Sequence, residues 1–244
     1  MELTIDTADA LAGVALTDEG APLAERLWRT RAGHAAELLP AIRDLLAGAG
    51  VAPIDLDAVF VCLGPGSYAG LRVGISTALA LAFGLPAGLL GVARLEADAW
   101  LHAAYPGPIV PVHSAGRGSY AWSVYHRQGG WRQTAAATLT DAATLLATAP
   151  AGALLCGEPP AAAQATAAGR DDLSVLHGPA HARRPLAVSA LAWPRYAAGE
   201  RDSHLALEPL YLREPHITPS RAARAQAEAT APSHDEDATT WNAR

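Results

Sequence analysis

Ala58-Val59-Phe60-Val61-Cys62-Leu63 runs directly into Gly64-Pro65-Gly66-Ser67-Tyr68-Ala69-Gly70-Leu71-Arg72. The first six residues form a nearly continuous apolar run with β-branched members, as expected of a strand covered on both faces. Three glycines and a proline in the next seven positions force a tight path out of that strand. Helical spacing then holds from Leu71 to Phe83, and Gly84-Leu85-Pro86 stops it. Leu89 to Val92 resumes as a strand, and Arg94 to His102 has the spacing of another helix. Strand, glycine turn, helix, strand is the order of an α/β unit.

Upstream, Leu3–Ile5, Leu11–Leu16 and Leu23–Trp28 form a meander of short strands, with Asp18-Glu19-Gly20 as a turn. That meander makes the sheet mixed. Leu38, Leu39, Ile42, Leu45 and Leu46 fall at helical spacing, ended by Gly48 to Gly50. Pro40 fits this helix only near its start. Downstream, Tyr105-Pro106-Gly107-Pro108 marks a boundary. Strands are expected at Ile109–Val112, Tyr120–His126 and Trp131–Thr134, and helices at Ala142–Ala149, Pro159–Ala168 and Leu186–Ala198. The division expected is an α/β unit over 1–104, a second over 105–215, and a loose polar tail over 216–244. No internal repeat is visible by inspection.

Composition narrows the function. The 244 residues are 50% hydrophobic and 17% charged, with a net charge of −6, so the basic footprint of an unaided nucleic-acid binder is missing. All 18 basic residues are arginine. That excludes a P-loop lysine, a Schiff-base lysine and a lysine base. Two cysteines, Cys62 and Cys156, make neither a disulfide framework nor a metal-type spacing. The N-terminus lacks the features of a signal peptide, and Ala78 to Leu90 is apolar but short of a membrane span. The expected compartment is the cytoplasm.

The glycine turn has two readings. Gly64, Gly66 and Gly70 could aim backbone N–H groups at a phosphate or carboxylate, with Ser67 as an extra donor and Arg72 as countercharge. Alternatively, the glycines permit close packing and Ser67 caps the helix. The motif is neither a Walker A loop nor a G-x-G-x-x-G fingerprint. Behind it, Leu71, Ile75, Leu79 and Phe83 form one apolar stripe, and Gly70, Gly74, Ala78 and Ala82 form a stripe of small residues. A helix apolar nearly all round must be covered nearly all round. Leu38, Leu39, Ile42 and Leu45 with Leu71, Gly74, Ile75, Ala78 and Leu79 are therefore read as a patch that a partner subunit completes, against the alternative that both helices are interior.

Other candidates carry less. Asp6 ends a strand, where it could hold a metal–phosphate or simply form a turn. His34 has no second histidine at i+4, so it is not half of a metal pair. Near His113, Ser114, Ser119 and His126 no acid partner and no nucleophile elbow stands out along the sequence. Trp122, Tyr125 and Trp131 are spaced as strand packing. Glu208 to Arg213 reads as an extended segment.

Taken together, Ile5-Asp6-Thr7-Ala8, His34 with Leu38-Leu39-Pro40, Asp55-Leu56-Asp57-Ala58, the segment Gly64 to Gly74, Ala82-Phe83-Gly84, Gly91-Val92 and Pro209-Leu210-Tyr211-Leu212-Arg213 resemble the TsaB family. This is the bacterial subunit family for threonylcarbamoyl transfer to adenosine 37 of ANN-decoding tRNAs. The resemblance implies a two-lobed actin/Hsp70/sugar-kinase α/β fold and a role without catalysis. It implies pairing with a TsaD-type catalytic subunit, joined by a TsaE-type ATPase. It also implies homodimers through an overlapping helical surface, and contact with tRNA only through the complex. No metal and no cofactor of its own are implied, with ADP or ATP at a subunit boundary left open. Two lapses agree with this. Leu38 stands where the catalytic paralogue has the second histidine of its His-x-x-x-His pair, and the Asp-x-Gly-Thr of related ATPases is reduced to Asp6-Thr7-Ala8-Asp9. One departure is the Asp-Ala-Arg segment of relatives, replaced here by His113-Ser114-Ala115. The competing reading is a nucleotide-dependent kinase or hydrolase of the same superfamily, and a peptidase ranks behind both.

Overall fold

The computed structural model describes residues 1–31, 33–164, 170–176 and 183–212. The chain runs β1 (Glu2–Asp6), β2 (Leu11–Asp18), β3 (Ala21–Arg29), α1 (His34–Ala49), β4 (Ala58–Cys62), α2 (Tyr68–Gly84), β5 (Gly88–Val92) and α3 (Arg94–Trp100). It continues through β6 (Ile109–Ser114), β7 (Ser119–His126), β8 (Arg132–Asp141), α4 (Ala142–Thr148), β9 (Leu154–Gly157), α5 (Ala161–Gln164), β10 (Ser174–Val175) and α6 (Pro185–Ala197).

Two mixed five-stranded sheets result, ordered β3-β2-β1-β4-β5 and β10-β9-β6-β7-β8. The meanders pair antiparallel, and β4 and β9 add parallel to β1 and β6. Counted from its own first strand, the second sheet repeats the order of the first, and each is followed by a helix after its third, fourth and fifth strands. The fold is thus internally duplicated, although the two halves show no repeat by inspection of the sequence.

Burial explains the strand compositions. All five residues of β1 and of β4 are buried, as a central strand covered on both faces requires. Edge strand β3 is mostly exposed and carries Glu25, Arg26 and Arg29, charges that discourage pairing with another chain. Edge strand β8 is kinked by register shifts opposite Trp122 to Tyr125, which serves the same end.

Helices α1 and α2 cover one face of the first sheet, placing Leu38, Ile42 and Ile75 in one core with Leu3, Val14 and Val59. Pro40 sits in the second turn of α1, past the free first donors, so the helix forgoes one backbone bond there. Gly50, at φ +67°, ends α1 by returning its N–H to carbonyls of the last turn.

The closing helices exchange sheets. Helix α3 packs on the second sheet, with Leu95 and Ala99 against Ile109, Tyr125 and Cys156. Helix α6 returns to the free face of the first, with Val188, Leu191 and Ala192 against Phe60, Leu90 and Val92. A division near residue 104 therefore follows the sheets but not the helices, and Met1–Arg213 forms one unit. The tail expected over 216–244 lies outside the described residues, as does most of the second half of the helix expected over Pro159–Ala168.

Candidate functional site

The glycine turn packs onto the end of β1. Ser67 donates its N–H to the Ala8 carbonyl at 2.7 Å, and the Ser67 hydroxyl oxygen accepts from Gly70 N–H at 3.3 Å. The Thr7 hydroxyl donates to the Gly70 carbonyl at 2.7 Å. A β-carbon on Gly66 or Gly70 would stand on the carbonyl oxygen of Ala8 or Thr7, and one on Gly74 on the Thr7 hydroxyl. Gly64 adopts φ +96°, where a side chain is strained. Two of the turn's donors are thus spent on the chain itself. Arg72 is exposed and turns away, donating to the Tyr68 hydroxyl at 2.5 Å, and Tyr68 lies 5.2 Å from the Tyr211 ring. This is the geometry of a packed, capped turn.

Leu210 donates its N–H to the Leu63 carbonyl at 2.8 Å, so the closing segment crosses the strand end beside the turn. A cavity of about 330 Å³ opens there, lined by Asp9, Gly66, Ser67, His113, Ser114 and Tyr211, among others. Ser114 and Ala115 are among its lining residues.

Beneath that cavity lies an ion cluster that sequence reasoning missed. Arg94 is 1% exposed. Its guanidinium donates to Glu158 Oε1 at 2.6 Å and to Asp98 Oδ2 at 3.3 Å, and lies 3.5 Å from Asp9. Nδ1 of His113 lies 2.7 Å from Arg94 Nη1 and 3.1 Å from Glu158 Oε2, bonding to one or the other according to where the imidazole proton sits. Arg183 donates to Asp6 and lies 3.9 Å from Asp98. Burial opposes ionisation of Glu158, but the His113 contact and the Arg94 charge outweigh it and hold the carboxyl well below the usual range. Burial pushes Asp98 up, against the pull of Arg94 and Arg183. The legible signal is an arginine and an aspartate at i, i+4 on the short helix Arg94–Trp100.

This cluster decides what Asp6 does. Its carboxylate accepts from Arg183 and from the Ala8 N–H at 3.1 Å, so it is engaged by its own chain as a turn former and ion-pair partner. His34 bonds the Asp9 carbonyl through Nε2 at 2.8 Å and faces Gly70, joining α1 to the turn. Among the described residues no cluster of three or more metal-type side chains forms. Trp122 packs in the core of the second sheet, while Trp131, stacked 5.4 Å from Tyr125, also meets Trp100 edge-on at 5.0 Å and donates its indole N–H to Glu96 of α3 at 3.1 Å.

The residues read as a partner patch divide. Leu38, Ile42, Leu45, Leu71, Ile75 and Ala78 are each at most 7% exposed, and Gly74 is buried, so the chain's own core uses them. Leu79 is half-buried, Leu39 is 57% exposed and Phe83 is 82% exposed. The stripe fails for a geometric reason. A row at i+4 advances about 40° round the helix at each step, so three steps carry it about 120°, from the core at Leu71 to solvent at Phe83. The outward face of α2 instead includes Arg72, Ser76, Ala80 and Phe83, and Leu39 and Arg43 are exposed on α1.

Comparison with known proteins places this geometry. A family model described as TsaD, tRNA N6-adenosine threonylcarbamoyltransferase, matches residues 29–187. The tRNA threonylcarbamoyladenosine biosynthesis protein TsaB of Bacillus subtilis is 34% identical over 128 residues, 52% of this chain and 56% of that protein. The Escherichia coli protein of the same name is 37% identical over 93 residues, 38% of this chain and 40% of that one. The matched segments thus span about half the length of these relatives. The structure of YeaZ from Pseudomonas aeruginosa superposes with a TM-score of 0.71 at 26% identity, covering 86% of this chain and 99% of that one.

Proposed function

The chain belongs to the TsaB family, and from that membership we propose that it is a non-catalytic, activating subunit of the machinery that forms threonylcarbamoyladenosine at position 37 of tRNA. It pairs with a TsaD-type catalytic subunit, a TsaE-type ATPase joins the pair, and tRNA is met through the assembly. The acidic balance of the chain supports indirect contact. No described helix is long and apolar enough to cross a membrane, in keeping with work on tRNA in the cytoplasm.

One observation carries the proposal: α2 keeps an outward face whose only charge is Arg72 and whose largest side chain, Phe83, is 82% exposed. This face has a large apolar anchor, Phe83, and small neighbours, Ser76 and Ala80, that let another helix approach closely. The same face serves self-association when the catalytic subunit is absent. A catalytic role for the chain itself is opposed by the cleft, where Asp6 is engaged by Arg183 and the nearest cation, Arg94, is satisfied by Glu158 and Asp98. A nucleotide with its metal would have to break these pairs.

The test is Phe83→Glu. The variant should lose its complex with the TsaD-type protein of the same genome in size-exclusion chromatography with light scattering, while far-UV circular dichroism stays native. Retention of the complex by the variant would place the interface elsewhere. Metal-dependent ATP turnover by the lone chain would favour the nucleotide-dependent enzyme.

A further inference from the structure

The exchanged helices are fastened at their starts by the two buried arginines. Arg94 is the first residue of α3, which leaves the first sheet for the second, and Arg183 stands two residues before α6, which makes the reverse crossing. Duplication of the fold puts them at corresponding places, and both approach Asp98. Arg94 also reaches Asp9 beyond β1, Pro65 in the glycine turn, His113 on β6 and Glu158 just past β9. Arg183 holds Asp6 at the end of β1. No opening of the cleft between the sheets leaves these bonds intact, because Glu158 and His113 belong to the second sheet's segment and Asp6, Asp9 and Pro65 to the first.

We propose that Arg94 and Arg183 form a permanent latch that fixes the two sheets at one closure, so that the chain works as a single rigid body. Hinged two-part proteins close on a ligand that supplies the bridging charge. Here the bridging charges are side chains, present whether or not anything is bound. Buried ion pairs of this kind add little net stability but impose one geometry. The inference concerns the isolated chain and holds whatever the chain's role in tRNA modification.

The molecule contains its own reporters. Its two cysteines flank the seam: Cys62 ends β4 close to Asp6 and Arg183, and the Cys156 thiol on β9 points to the Asp98 carbonyl at 3.8 Å. Both are buried, and burial raises both thiols well above the usual range, so neither reacts until the seam opens. The experiment is labelling of the full chain with a chromogenic disulfide reagent, alongside urea denaturation of each variant. The native chain should label at its global unfolding rate. Arg94→Gln, Glu158→Gln and Arg183→Gln should label at least tenfold faster than their own measured unfolding permits, and Arg94→Lys, which keeps charge without the planar fork, should fall between. Thiols that label in the variants at the native rate, or only in step with global unfolding, would overturn the latch. Fast labelling of the unmodified chain, well above its unfolding rate, would overturn it equally.

Discussion

Substituting alanine for two glycines of the same helix should move stability in opposite directions. In a helix interior, glycine to alanine stabilises by up to about 1 kcal/mol. At Gly84 a β-carbon would meet nothing within 4 Å, so Gly84→Ala should realise a part of that gain. At Gly70 the new carbon would fall on the Thr7 carbonyl oxygen, which must retreat by roughly 1 Å to reach an ordinary C···O separation of about 3.3 Å. That oxygen belongs to the backbone between Asp6, held by Arg183, and Ala8, whose carbonyl accepts from Ser67. Overpacking of such a site costs about 1–3 kcal/mol. Losing the buried bond from the Thr7 hydroxyl to the Gly70 carbonyl adds about 1–3 kcal/mol. Set against the propensity gain, Gly70→Ala should destabilise by about 1–5 kcal/mol, lowering the melting temperature by roughly 2–20 °C for a chain of this size. Urea and thermal denaturation followed by circular dichroism measure both variants. A Gly70→Ala protein as stable as the parent would refute the close approach of the turn to β1, and with it the packed-turn account.

Three further outcomes are expected. Ile75→Glu, on the buried side of α2, should cost about 3–5 kcal/mol and lose the native far-UV spectrum at moderate urea, whereas Phe83→Glu should change stability by no more than about 0.5 kcal/mol; equal effects would mean the helix is rotated from the orientation described. Ser67→Ala removes the acceptor at the start of α2 and should cost about 1 kcal/mol in urea denaturation, with no change expected only if the cap is idle. Because the folded Glu158 carboxyl is held below its ordinary value, its contribution is complete above the unfolded carboxylate range near pH 4.3 and is lost as pH falls towards the folded value. The stability gap between the parent and Glu158→Gln should therefore be flat at neutral pH and shrink below about pH 4, and a gap that widened on acidification would reverse the assignment.

Much of the architecture is legible because each half repeats simple signals. The buried run Ala58–Leu63 and the glycine turn identify the central strand and its helix, and the meander before them fixes the antiparallel edge. Four-residue β9 and two-residue β10 escape notice, being too short for a period to develop among alanines. The duplication is hidden because it lives in strand order and connection, which very different side chains satisfy. The facing of the α2 stripe is misread, since an i+4 row winds away from the core as the helix advances, and Leu71 and Ile75 serve the chain's own core. Arg94 and Arg183 are invisible as a pair: 89 positions separate residues that meet only because α3 and α6 exchange sheets. Asp6 is legible as a strand-ending carboxylate, but its partner is not, for the same reason.

The account rests most heavily on the outward face of α2 as the seat of partnership. Light scattering of this chain, alone and mixed with the TsaD-type protein of its own genome, tests it directly. A stable one-to-one complex that displaces any self-association, and that Phe83→Glu abolishes while the variant remains folded, is the predicted result. Failure of the two proteins to associate under any nucleotide condition, or a complex indifferent to Phe83→Glu, would contradict it.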